Sequence, residues 1–358
     1  MAAGKRGAKV PYRVIQWATG KVGNEGLRQI IDHPDLELSG VYVFSEGKVG
    51  MDAGDICGRP TTGIRATNRI EDLLTVDADI ILHTPMRELT SDNSDREVLA
   101  LLKSGKNVIS VRGYYWPRWL GEDYERQFLE ACQHGNATLH ANGISPGFIY
   151  DRLAPTMSSF CQKVRAVYLN EYFDLRLRPW HTIYDVCGLA TTPGELTPEH
   201  PTAVSLNGLY TEMYHLMAEH WETKVKSVSL RFEYEVTDHD ITIESGVIPA
   251  GTCRGNKWIW EVDFANGVFM RSISHYYIDP IPGWEHRNVW KIEIDGEPKF
   301  VAEMPLEETG ADTLTTGGYD PNGKAIIALS INAIPEVIAA PPGVLKATVF
   351  APWRARFR

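Results

Sequence analysis

A chain of 358 residues is long enough for about two domains. Its 43% hydrophobic and 23% charged content is that of a soluble globular protein, and no apolar run reaches the roughly 20 residues of a membrane helix. A net charge of −10 argues against a nucleic-acid partner, which takes a clustered basic face; five scattered cysteines with no C-x-x-C pair fit reduced thiols in the cytoplasm.

The opening "MAAGKRGAKVPY" is basic without an apolar core, so it reads as a frayed tail. From Tyr12 to about residue 145, short apolar runs alternate with amphipathic stretches. "YRVIQW", "LELSGVYVF", "ADIILH", "KNVISV" and "ATLHAN" predict strands, being aliphatic or β-branched and bounded by Gly, Asn, Asp or Pro. Between them "NEGLRQIID", "NRIEDLL", "SDREVLALLKSG" and "EDYERQFLEACQHG" predict helices, the last two closing on Gly105 and Gly135 as C-caps. Such alternation predicts an α/β domain over residues 1–147 with a doubly wound parallel sheet.

From residue 148 the segments lengthen, fill with aromatics and alternate at period two, as in "VRAVYLNEYFDL", "KWIWEVDFANGVFMRSISHYYI" and "RNVWKIEIDGEPKFVAEMPL". Turn formers join them at Ala265-Asn266-Gly267 and Asp295-Gly296. This predicts a second, α+β domain over 148–315 with an open mixed or antiparallel sheet and a helix over 203–222. The remainder, 316–358, predicts a helix and a proline-marked exit. No histidine pair among the eleven has metal spacing, and no metal is expected.

The hexamer Ala18-Thr19-Gly20-Lys21-Val22-Gly23 follows the first strand and opens the first helix. It is G-x-G-x-x-G with alanine first. Gly20 would let backbone approach a diphosphate, Gly23 would let helix pack on strand, and Ala18 fits the turn if its φ is negative. Thr19 to Gly23 are the expected diphosphate contacts, with the phosphate on the helix amides. About 20 residues on, where an NAD site carries an acid, stand Phe44 and Ser45, followed by Glu46 and Lys48. Ser45 and Lys48 suit a 2′-phosphate and favour NADP(H). Glu46 suits a ribose diol and leaves NAD(H) open.

The pieces "VIQWATGKVG", "KVGMDAGDICG", "GKNVIS", "NGISPGF" and "INAIPEVIAAPPG" together resemble the dihydrodipicolinate reductase-like oxidoreductases, in the branch of 2,4-diaminopentanoate dehydrogenase and the native amine dehydrogenases. The resemblance implies a Rossmann-type first domain, an open-sheet substrate domain, a last helix returning to the first domain, and a homodimer. It also implies that His83, Thr84 and Pro85 lie beside the nicotinamide ribose, Asn142, Gly143 and Pro146 near the nicotinamide, and Asn332 near its carboxamide. Two departures stand out. The reductases' His-His…Lys segment is replaced by "LNEYFDLRLRPWHTIYD", which argues against their reaction. The amine dehydrogenases' catalytic glutamate falls on Gly113, so amination here needs another acid.

Tyr114 and Tyr115 stand where that acid would be, and a tyrosine becomes a competent proton donor beside a cation such as Arg112. Glu171, on a strand expected to face the cofactor cleft, and His181 and Tyr184, in "WHTIYDVCG", are further candidates. Aromatics such as Phe148, Tyr172, Trp180 and Tyr184 suit a small to medium, largely apolar substrate. The sequence thus reads as an NAD(P)H-dependent oxidoreductase of carbonyl, alcohol, imine or amine compounds. An amine dehydrogenase using a different acid and a non-catalytic NADP(H)-binding sensor are the alternatives.

Overall fold

The computed structural model describes residues 10–86, 92–307 and 321–355. They gather into two compact units, one from residues up to Gly147 plus 322–346, the other from Phe148 to Pro321 plus the residues from Ala347 on.

In the first unit the chain runs β1 (Tyr12–Trp17), α1 (Lys21–Asp32), β2 (Leu36–Tyr42), α2 (Ala53–Cys57), α3 (Ile70–Leu74), β3 (Ile80–His83), α4 (Asp92–Lys103), β4 (Asn107–Ser110), α5 (Glu122–Gly135) and β5 (Thr138–Ala141). The second unit follows with α6 (Ala154–Ser158), β6 (Lys163–Asp174), α7 (Pro201–His220), β7 (Val225–Val236), β8 (Ile241–Ile243), β9 (Gly246–Ile248), β10 (Cys253–Phe264), β11 (Phe269–Tyr277), β12 (Val289–Glu297) and β13 (Phe300–Pro305). The chain then returns through α8 (Pro321–Asn332), α9 (Ile334–Ala339) and β14 (Gly343–Leu345).

The first sheet has six parallel strands in the order β14-β5-β4-β3-β1-β2. Chain order reverses between β1 and β3, so their carboxyl ends open the crevice where doubly wound sheets take ligands. One face of the sheet, with Val14, Ile80, Leu82 and Ile109, buries Ile30 of α1 and Ile327, Ile331, Ile334 and Val337 of α8 and α9. On the other face Trp17 donates its indole N–H to Glu97 of α4 at 3.1 Å. The sixth strand escaped the sequence reading. β14 is three residues long and follows Pro341-Pro342, too short to show a period, and it exists only because β5 offers an edge. Gly135 proves to be the last helical residue of α5, with Asn136 as the left-handed cap (φ 51°). The glycine serves packing instead: a Cβ there would fall 1.9 Å from the carbonyl oxygen of Leu102.

The second sheet is mixed, in the order β13-β12-β6-β11-β10-β7; only β6 and β11 pair in parallel. Gly267 (φ 88°) makes the expected hairpin turn between β10 and β11. Asp295-Gly296 is not a turn. Both lie inside β12, where a Cβ on Gly296 would sit 2.5 Å from the Lys163 carbonyl, and the chain reverses only after Glu297. Residues after Lys346 do not stay with the first unit: Trp353 donates its backbone N–H to Ser158 Oγ (3.1 Å) and its indole to the Gln162 carbonyl (3.1 Å). All five cysteines are free and buried. Among the described residues no helix is long and apolar enough to cross a membrane.

His275 on β11 is 5% exposed, stacks on Tyr172 with ring centroids 4.1 Å apart, and is held neutral by burial, its pKa pushed down to about 4. The unfolded chain takes up this proton near pH 6.5, the folded one only near 4, so its contribution is complete above 6.5 and lost as pH falls through that window. Thermal melts from pH 7 to 4 are expected to show His275→Phe losing less stability than the parent, by up to about 3 kcal/mol at the acid end.

Candidate functional site

The carboxyl edge of the first sheet is built largely from backbone. Gly20 is the N-cap of α1 with φ −68° and ψ −167°, angles open to any residue. A Cβ there would meet nothing within 4 Å among the described residues, so neither conformation nor packing asks for glycine. Its lack of a side chain leaves open ground at a helix N-terminus that no side chain caps and that has no acid in its first turn. A phosphate there would meet the amides of the helix start and the positive end of the helix. Lys21 is exposed and Val22 packs inward against the core.

Gly23 has a different reason. A Cβ on it would lie 2.1 Å from the Ala18 carbonyl oxygen and 2.9 Å from Thr84 Oγ1; one on Gly26 would lie 2.2 Å from Gln16 Oε1. The two glycines let α1 press against the end of β1. Ala18 overturns the expectation of negative φ: it sits at φ 73°, a left-handed conformation costing an alanine about 1–2 kcal/mol.

Lys48 comes from a short helical turn after β2 and donates Nζ to Thr19 at the carbonyl (2.7 Å) and the hydroxyl (3.2 Å). Ser45 and Phe44 are exposed at the same edge, while Glu46 accepts from Asn68 Nδ2 at 2.8 Å. The segment is anchored by Asp52, which sequence reasoning passed over although Asp-Ala-Gly is an N-cap signal. Its carboxylate accepts from the amides of Gly54 (2.8 Å), Thr62 (2.9 Å) and Gly63 (2.8 Å), and these bonds hold its pKa below the usual value.

On the other side of the switch point, His83 is fully buried. Nδ1 lies 3.0 Å from Ser110 Oγ, Nε2 lies 3.9 Å from Glu97, and burial lowers its pKa. It is a neutral packing group, and what this stretch presents to the edge is Thr84, whose hydroxyl donates to the Trp17 carbonyl (3.0 Å). Pro85 is buried beside it. Tyr114, expected as a proton donor, is engaged by a carboxylate rather than by a cation. Its phenol donates to Asp95 Oδ1 at 2.7 Å, and burial, then the Asp95 charge, push its pKa well above 10; Arg112 pulls the other way with less effect. Arg112 donates instead to Ser94 Oγ. Nothing in the sequence pointed to Asp95, which also accepts from Tyr124 at 3.1 Å. Tyr115 donates to the Pro146 carbonyl (3.0 Å), and the same turn is tied by Gly143 N–H to Asn142 Oδ1 (2.9 Å) and by Asn142 N–H to the Ser110 carbonyl (2.9 Å). Asn332 is exposed at the end of α8.

Within the second unit, Glu171 alternates with Asn170 and Tyr172 as expected but faces α7 from a fully buried position. It accepts from Tyr210 (2.7 Å), Trp290 (3.0 Å) and Ser274, and Tyr214 joins Ser272 beside them at 2.5 Å. His181 and Tyr184 lie exposed in a turn; His181 Nε2 reaches Thr182 Oγ1 (3.3 Å) and Tyr184 stacks on Trp180. The structure therefore gathers the residues of the loop that opens α1 with Lys48, Thr84, Arg112, Tyr114, Tyr115 and Asn142–Pro146 in one unit, while Glu171, His181 and Tyr184 belong to the other.

Because the two loop glycines differ in cause, they should differ in effect. Gly20→Ala is expected to melt within about 1 °C of the parent, while Gly23→Ala loses about 2 kcal/mol or more, measured by thermal and urea unfolding without ligand.

No family model matches this chain. An amine dehydrogenase of Streptomyces virginiae is 23% identical over 355 residues, covering 93% of this chain and 94% of that protein. The structure of an amine dehydrogenase from Mycobacterium smegmatis superposes with a TM-score of 0.78 at 16% identity, covering 97% of each chain. GenD2 from gentamicin A biosynthesis, solved in complex with NAD, gives a TM-score of 0.54 at 14% identity over 96% of this chain and 92% of that one. The chain is an oxidoreductase with a Rossmann-type first unit, similar over nearly its whole length to an amine dehydrogenase.

Proposed function

We propose that this oxidoreductase uses NADP(H) in preference to NAD(H), and moves hydride between the nicotinamide and a small to medium, largely apolar carbonyl/alcohol or imine/amine compound. The observation that carries the reading is the empty ground over Gly20 at an uncapped helix start, with the Lys48 ammonium held beside it. Thr19 to Gly23 would hold the diphosphate. Lys48 and Ser45 would meet a 2′-phosphate, because the acid of an NAD site is missing and Glu46 is engaged by Asn68. Thr84, Pro85 and the Asn142–Pro146 turn would line the nicotinamide side. The bound dinucleotide supplies the hydride; the chain's own task is to orient it and exclude water. Membership of the dihydrodipicolinate reductase-like branch, a homodimer and a cytoplasmic setting accompany this reading. Free buried cysteines support the last.

The whole-length likeness to an amine dehydrogenase favours a second reading, amine formation or oxidation. Against the family's usual acid stands Gly113, at φ 140°, a conformation closed to glutamate.

Fluorescence titration is expected to show NADPH binding more tightly than NADH. Lys48→Ala should weaken NADPH about tenfold or more and change NADH by less than about twofold, as a charge-assisted phosphate contact predicts. Binding of neither nucleotide would overturn the proposal. NADPH oxidation with a panel of ketones, with and without high ammonium, separates the two reactions: a requirement for ammonium assigns amination, and indifference assigns carbonyl reduction. Tight binding with no turnover in either would mark a sensor.

A further inference from the structure

We infer that Gln16 is a positioning residue that locks the first place of the phosphate loop, Ala18, in the left-handed conformation a glycine would otherwise supply. The inference rests on the dinucleotide reading of that loop.

Gln16 lies inside β1 with no exposed surface. Its Nε2 faces a ring of oxygens: Thr84 Oγ1 at 2.7 Å and the carbonyls of Ala18 (3.0 Å), Trp17 (3.3 Å) and Leu82 (3.5 Å). Thr84 spends its own hydroxyl proton on the Trp17 carbonyl. Only the NH₂ end of the amide can therefore point here, since the other end would set oxygen against oxygen. That other end, Oε1, rests against Gly26, and a side chain on Gly26 would collide with it. Gly26 is thus part of the same device, keeping room for a buried amide within the helix–strand contact.

The Ala18 carbonyl is the point of convergence. It is gripped by Gln16 on one side and stands against Gly23 of α1 on the other. The Ala18 N–H is fixed in turn by the Tyr42 carbonyl at 3.0 Å. With both ends of the residue held, alanine remains at φ 73° although its Cβ disfavours it. The direction of the Ala18 carbonyl sets the next peptide planes, those of Thr19 and Gly20, and so the aim of the amides that would meet a diphosphate. A polar side chain buried in a central strand, an alanine with positive φ and a second helix glycine are each unfavourable alone; together they make one rigid loop.

The test is a double-mutant cycle on the full-length protein, read by titration with NADPH and NADH and by thermal melting. Gln16→Met keeps the volume and removes the donor. In the parent it should weaken both nucleotides alike by about tenfold, since the diphosphate is common to them and the hydrogen bond that holds the Ala18 carbonyl is lost with the others. In the Ala18→Gly background, where no strained residue needs holding, the same substitution should cost less than about threefold. The cofactor KM should rise with kcat nearly unchanged. Equal losses in the two backgrounds, or a loss confined to one nucleotide, would overturn the inference and leave Gln16 as packing. If Q16M does not fold, Thr84→Val removes the partner oxygen and should show the same coupling to A18G. If the parent binds neither nucleotide, the dinucleotide reading falls separately, and the coupling is read from melting alone: Q16M should lower Tm less in the A18G background.

Discussion

The approach of α1 to the end of β1 is the constraint on which the rest of the first unit depends. Two glycines, Gly23 and Gly26, remove the side chains that would hold the helix away, and the Ala18 carbonyl and the Gln16 amide fill the space gained. This places the helix start at the switch point of the sheet, aimed across the carboxyl ends of β1 and β3. A helix displaced by a methyl group would carry its terminal amides away from that crevice. Anion binding at such a place would come from main-chain geometry, which asks for few functional side chains.

Around that start the chain divides labour between glycines. Gly20 is asked for by neither packing nor backbone angle and leaves open ground, Gly23 and Gly26 serve packing, and the place where a glycine is needed for its backbone angle holds Ala18 instead. The loop after β2 is organised by Asp52, whose carboxylate collects three backbone amides and so fixes the segment from which Lys48 reaches Thr19. Asp95 of α4 collects the hydroxyls of Tyr114 and Tyr124 from the chain beyond β4. In each case one carboxylate organises a loop by accepting several donors, which costs less than leaving those donors buried and unmade.

The second unit carries its polarity inside. Glu171, Tyr210, Tyr214, Ser272 and Ser274 lie fully or almost fully buried between the sheet and α7, joined by hydrogen bonds. A carboxylate in such a place demands fully formed partners, and the tyrosines around it have pKa values raised well above 10 by burial first and by its charge as well, the Ser272 hydroxyl pulling Tyr214 the other way. This network ties helix to sheet in a single register, because a shift of one residue would strand every member of it.

Much of the architecture is legible in the residue pattern. Strands β1 to β5, the helices α1, α3, α4 and α5 between them and the long paired strands of the second unit announce themselves through periodicity and turn residues, since those signals are local; the short α2 does not. The turn that opens α1 is legible for the same reason. Tertiary contact decided the rest. β14 is a strand only because β5 has a free edge; Gly135 and Gly296 are glycines because distant backbone passes within 2.5 Å of where a Cβ would be; Ala18 keeps a positive φ because Gln16 and Thr84 hold it. Tyr114 looks like an acid beside Arg112 in the sequence and is committed to Asp95, nineteen residues away, in the fold. Local patterns reveal which conformation a segment prefers. Which group a buried side chain meets depends on atoms far along the chain, and no spacing of neighbours encodes that.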